Sequence, residues 1–143
     1  MTDNSEHKKL WHIFHEFDEF VLISNPERAT IEGDHRFDDR LSDYSEEYLK
    51  IIYGTNRRFL KDISSINYGK LDEQDKINYD LFKYYTELEI EAEKFSFHYM
   101  PVWQQNGIHI DITRLAEFHP CNTNIDALNF LKRINSDEQR TGH

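Results

Sequence analysis

Between Asp72 and Phe95 the residues Ile77, Leu81, Tyr84, Leu88, Ala92 and Phe95 recur at intervals of four, three, four, four and three, through strong helix formers. A strand cannot use that spacing, because it turns alternate residues to opposite faces. The segment is therefore predicted as a long helix, capped by Asp72, whose apolar stripe demands a partner helix. Similar stripes bracket it. Leu10, Phe14, Phe17 and Val21, widened by Trp11, Ile13 and Phe20, predict a first helix over residues 4–24 that stops before Pro26. "NPERATIEG" reads as a short second helix, with Asn25 as its cap, Pro26 at its first position and Gly33 in the left-handed conformation at its end.

Ser45 with Glu46 and Glu47 starts a helix carrying Leu49, Ile52, Phe59, Ile63 and Ile66, weakened in its middle by Gly54-Thr55-Asn56. Beyond Phe95 the period changes. Pro101 and Gly107 interrupt, and Ile108, Ile110 and Ile112 alternate with period two, so an irregular segment with one short strand is expected near 97–113. A final helix follows, capped from Asn122–Asn124, with Ile125, Leu128, Leu131 and Ile134 on one side. The expected fold is mostly α, an antiparallel helical array within a single domain over residues 1–143. These stripes offer more apolar surface than so few helices can cover, which points to a longer natural protein or to oligomerisation.

Composition narrows the partners. Ten Phe, eight Tyr and two Trp argue against a disordered chain. A formal charge of −10, with no basic cluster, repels phosphate backbones and anionic lipid, so neither nucleic acid nor a membrane surface is expected as a partner. The start, "MTDNSEHKKLWHIF", lacks a signal-peptide pattern, which reads as cytoplasmic, or as periplasmic or secreted had a leader been removed. Cys121 is the sole cysteine and cannot form an internal disulfide.

Four stretches could carry chemistry. His15-Glu16-Phe17-Asp18-Glu19 reads His-Glu-x-x-Glu, close to the His-Glu-x-x-His of zinc peptidases. His12, His15, Glu16 and Glu19 nevertheless fall opposite the apolar stripe, where a solvated face with i, i+4 pairs is expected; a weak surface metal site is the competing reading. In "GDHRFDDRLSD", Asp34, His35, Asp38, Asp39 and Asp43 alternate with Arg36 and Arg40 without the order of an EF-hand. Capping aspartates and carboxylate-clamping arginines are expected, with a substrate groove as the alternative. His119 and Cys121 are the residue types of a base and a nucleophile, but two residues apart they rarely meet productively. His98, Tyr99, Trp103, Gln104, Gln105 and His109 could contact a peptide, or the aromatic ones could close the core.

In order along the chain, "NPERATIEGDHRFDDRLSDYSEE", "LDEQDKINYDLFKYYTELEIE", "FHYMPVWQQNGIHI" and "TNIDALNFLKRI" resemble the N-terminal region of the bacterial family called domain of unknown function 885. The pattern positions are Asn25, Pro26, Ala29, Thr30, Gly33, Asp38, Asp39, Arg40 and Leu41, then Asn78, Tyr79, Asp80 and Leu81, then Met100, Pro101, Gln104 and Gly107. The resemblance implies an intact protein that is a zinc-dependent peptidase, a hydrolase several times longer than this chain, with His-Glu-x-x-His in its later part. It supplies no zinc ligand and no catalytic residue here. The expectation is an N-terminal helical portion, inactive alone, with no cofactor of its own. Its partners would be the remainder of a peptidase-like chain, a helical partner, or a peptide substrate in the intact protein. The alternative is a free-standing helical interaction module.

Overall fold

The computed structural model describes residues 4–95 and 108–138, the side chains of 4, 108–112 and 137–138 excepted. Among the described residues six α-helices follow one another: α1 (Asn4–Ser24), α2 (Pro26–Ile31), α3 (Glu46–Ser64), α4 (Glu73–Ala92), α5 (Ile108–Phe118) and α6 (Asn124–Glu138). No strand occurs among the described residues. The alternation of Ile108, Ile110 and Ile112 lies in α5, so the short strand expected there is corrected to a helix over 108–113. A single strand would leave its backbone groups without a ladder, whereas a helix satisfies them within the segment. The remainder of the expected irregular segment, with His98, Tyr99, Met100, Pro101, Trp103, Gln104, Gln105 and Gly107, falls outside the described residues, as does the side chain of His109.

The helix starts follow local chemistry. Asn25 Oδ1 accepts from the Arg28 amide at 3.0 Å, and Pro26 occupies the first turn, where its missing N–H costs nothing. At the other end of α2, Asp34 N donates to Ala29 O and Gly33 N to Thr30 O, a Schellman closure that needs Gly33 at φ +88°. Ser45 caps α3 through Tyr48 N, and Asp72 caps α4 through Asp75 N at 2.8 Å. Thr123 and Asp126 form a reciprocal capping box at the start of α6. α3 continues unbroken through Gly54-Thr55-Asn56, where Asn56 is buried.

Contacts divide the chain into two compact units, one of residues 1–20 with 44–97, the other of 21–43 with 98–143. In the first, Leu10, Ile13, Phe59, Ile63, Ile66, Leu71 and Tyr79 form the core, with Phe14, Phe17, Phe20, Leu60 and Phe82 packed around it. Burying a side chain such as Phe59 or Ile63 contributes about 1.5–3 kcal/mol. Residue numbers show the directions. His7 and Trp11 meet Asp75 while Phe14 and Phe17 meet Phe82, so α1 and α4 run the same way. Glu6 meets Asn67 while Phe20 meets Phe59, so α3 runs opposite to α1. This is an up-down-up arrangement, antiparallel between neighbours in sequence and parallel between first and third.

The stripe that best marked α4 as a helix is not the face it buries in this unit. Ile77, Leu81, Tyr84 and Leu88 are 54%, 51%, 60% and 47% exposed, whereas Asp75, Tyr79 and Thr86 are buried and Phe82 packs on the core. The same holds in the second unit for α6, where Ile125, Leu128, Leu131 and Ile134 are exposed and the buried position is Arg133. No helix of the described residues is long and apolar enough to cross a membrane.

Candidate functional site

The second unit is organised around the buried side chain of Arg133 on α6, which is fully inaccessible to solvent. Its guanidinium offers five N–H donors in a rigid fork. Nε donates to Arg40 O at 2.7 Å. One terminal nitrogen donates to His119 Nδ1 at 3.2 Å, and the other is shared among Thr30 Oγ1 at 2.8 Å, Phe37 O at 3.0 Å and Pro26 O at 3.2 Å. Asp38 stands 3.9 Å away as its counter-charge and is itself buried. Burial pushes the guanidinium down from the ordinary arginine range, and the negative charges of Asp38, Glu27 and Asp39 act in the opposite sense.

Each partner is placed by its own local structure. The Thr30 hydroxyl donates to Asp38 Oδ1 at 2.6 Å, with Pro26 O within 3.0 Å, and it accepts from Arg133. The second Asp38 oxygen meets His35 Nδ1 at 3.0 Å. Gly33 turns the chain after α2 so that the 3-10 turn His35–Phe37 brings the Phe37 and Arg40 carbonyls inward. His119 has both ring nitrogens engaged. Nδ1 faces a group that can only donate and Nε2 faces the Asp126 carbonyl at 3.0 Å, which can only accept, so the partners select the neutral Nε2–H tautomer. The Asp126 carboxylate accepts from the amides of Asn122 and Thr123 while its own amide donates to Thr123 Oγ1, and the Thr123 amide foremost among these holds the carboxyl below the ordinary aspartate value.

The arginines of the turn-rich stretch work locally at the surface. Arg36 clamps Asp34 from Nε and a terminal nitrogen, at 2.6–3.0 Å, which holds the Asp34 carboxyl below its ordinary value while Asp34 also caps the 3-10 turn. Arg40 lies 3.6 Å from Asp39, and Leu41 is half-buried. Glu27 binds the amide of Ser42 at 3.0 Å and its hydroxyl. Cys121 is exposed, and with His119 committed to Arg133 and Asp126 the two do not form a nucleophile and base pair.

In the first unit, His12 and Glu16 lie on the exposed side of α1, 3.9 Å apart, and His15 is exposed beside them. They do not gather into a pair of imidazoles in a shielded pocket, so this stretch does not fit a catalytic zinc. One group among the described residues brings metal-ligating atoms within 4.8 Å of one another: His7, Asp72 and Asp75. There the buried Asp75 carboxylate takes His7 Nδ1 at 2.6 Å and Trp11 Nε1 at 3.1 Å, and Asp72 is spent capping α4. The group reads as a clamp between α1 and α4. Of the remaining pattern positions, Tyr79 stacks edge-on against Tyr68, Asp80 accepts from the Tyr68 hydroxyl at 2.9 Å, Asn78 meets Gln74, and Leu81 is exposed.

Seven of the pattern positions, Asn25, Pro26, Ala29, Thr30, Gly33, Asp38 and Arg40, thus cap, shape or bind within the Arg133 cluster, and Arg133 itself was not among the residues singled out from sequence. A model of the family described as "Bacterial protein of unknown function (DUF885)" matches residues 26–139, which take in Arg133 and each residue that bonds to it. The chain belongs to this family. No curated protein and no solved structure matches it. In DUF885 terms, the residues 26–41 and the segment ending in "FLKRI" are the two halves of one buried latch, about 100 residues apart along the chain.

Proposed function

We propose that this chain is the N-terminal helical portion of a peptidase-like DUF885 protein, a scaffold that flanks the substrate channel and hydrolyses nothing by itself. The observation that carries this reading is the fate of the family-pattern residues. In the Arg133 latch the donors and acceptors are spent on one another, many of them on main-chain carbonyls, with Asp38 and His119 both buried. A catalytic constellation needs a reactive group aimed at open space; a scaffold needs the opposite. Peptide-bond hydrolysis would then belong to residues outside this chain, and no step of it is assigned to groups here. The exposed stripes of α4 and α6 favour a second reading, a helical protein-interaction module.

The test is metal content and cleavage. The purified 143-residue chain is expected to hold no stoichiometric zinc and to leave a mixed peptide library intact. One tightly held equivalent of zinc, lost on His15→Ala or His7→Ala together with cleavage, would overturn the scaffold reading.

A further inference from the structure

The outer face of α4 has the grammar of a coiled-coil seam. Ile77, Leu81, Tyr84 and Leu88 follow one another at four, three and four, the d-a-d-a rhythm of a heptad repeat, and all four are about half exposed. The face is not an overflow of the core, since α4 packs on α1 and α3 through Tyr79 and Phe82 on its other side. With that register set, the g positions are Glu73, Asp80 and Glu87, acidic in three successive heptads and all exposed. The e positions are Asn78, Tyr85 and Ala92, which carry no charge.

In paired helices the e and g residues choose the partner and its direction. An antiparallel second copy would oppose g to g and set the three acids against their equivalents. A parallel second copy would oppose them to Asn78, Tyr85 and Ala92, with no charge to gain. A helix carrying Lys or Arg opposite the g row sets a cation against each of the three acids, of which Glu73 also meets Lys76 at 2.7 Å and Asp80 the Tyr68 hydroxyl at 2.9 Å, and α4 as a whole carries six acidic residues against two basic ones. We infer that the outer face of α4 is a docking site for a separate amphipathic helix with an apolar a/d stripe and basic margins. This deepens the interaction-module reading above and is independent of any peptidase chemistry.

Two synthetic helical peptides of about three heptads test it, both with Leu at a and d, one with Lys at e and g and the other with Glu. The basic peptide is expected to bind the full chain at least about tenfold more tightly than the acidic one, with loss of binding in Leu81→Lys. The triple variant Glu73→Lys, Asp80→Lys, Glu87→Lys should reverse the preference. A variant with the same change in net charge elsewhere, Glu16→Lys, Asp18→Lys, Glu47→Lys, should keep it, which separates the seam from general attraction to an acidic protein. Equal binding of both peptides would show a helix-docking face without charge selection and overturn the inference while leaving the interaction reading. Binding of neither would overturn both. A dimer in sedimentation that dissolves on Leu81→Lys would make a second copy the occupant and overturn the heteromeric partner.

Discussion

Replacing Arg133 with Met keeps most of the length of the side chain and removes every donor of the latch. Three carbonyls, the Thr30 hydroxyl and His119 Nδ1 lose their bond to the guanidinium, and Asp38 loses its counter-charge at 3.9 Å. If each of the five acceptors paid the full desolvation cost of an unsatisfied group, about 1–3 kcal/mol, the loss would reach about 5–15 kcal/mol, the entire stability of an ordinary domain. That is too much, because Thr30 keeps Asp38, His119 keeps Asp126, and water can enter a polar cavity. The relevant figure is the removal of one partner from a buried charge network, about 3–5 kcal/mol. Urea unfolding followed by far-ultraviolet circular dichroism measures it, with an unchanged slope required before the midpoints are compared. Arg133→Lys retains the charge but gathers its donors on one atom, so it should recover less than half of the loss. A double-mutant cycle with Asp38→Asn should give a coupling of about 1–3 kcal/mol. A cost for Arg133→Met below about 1 kcal/mol, in the range of ordinary surface substitutions, would refute a closed latch.

Two further outcomes follow from local geometry. Gly33→Ala meets no neighbouring atom but forces a Cβ into φ +88°, so it should cost about 1–2 kcal/mol in the same unfolding experiment through backbone strain alone. Asp126 has a folded pKa held below that of an ordinary aspartate by the amide of Thr123, so its contribution is fully present above the unfolded value and is lost as pH falls through the lower, folded pKa. Asp126→Asn should therefore reduce the loss of stability on acidification below about pH 4, measured as the difference between unfolding midpoints at neutral and acid pH; an unaltered difference would deny the capping box its pH dependence.

Where the sequence was legible, the signal was local. Asn25, Pro26, Gly33, Ser45 and Asp72 mark helix ends because a cap or a left-handed turn is made by residues within one turn of the boundary. The solvated face of His12 and Glu16 was readable for the same reason, since it follows from angle around a single helix. Which stripe a helix buries is another matter. α4 carries apolar residues on two sides, Tyr79 with Phe82 and Ile77 with Leu81, and period alone cannot choose between them. On α6 the choice ran against hydrophobicity, because the latch draws in an arginine and leaves Ile125 and Leu128 outside. Ile108, Ile110 and Ile112 mimic a strand, but Ile108, Ile112 and Leu115 also satisfy the helical period, and in the absence of a ladder the helix forms. The Asp75 clamp and the Arg133 latch both join residues more than 60 positions apart, which no window on the sequence displays.

That separation has a meaning in time. During synthesis the carbonyl of Arg40 leaves the ribosome 93 residues before the side chain that will bind it. At about 5–20 residues per second this is a wait of roughly 5–19 s. Throughout it, α2, the turn after it and the Asp38 carboxylate stand complete in sequence but without the cation they enclose, and before it ends the whole of the first unit's core, which closes at Phe82, has emerged. The second unit is therefore built to close late, and the period before Arg133 arrives is when residues 21–43 are open to chaperones and proteases.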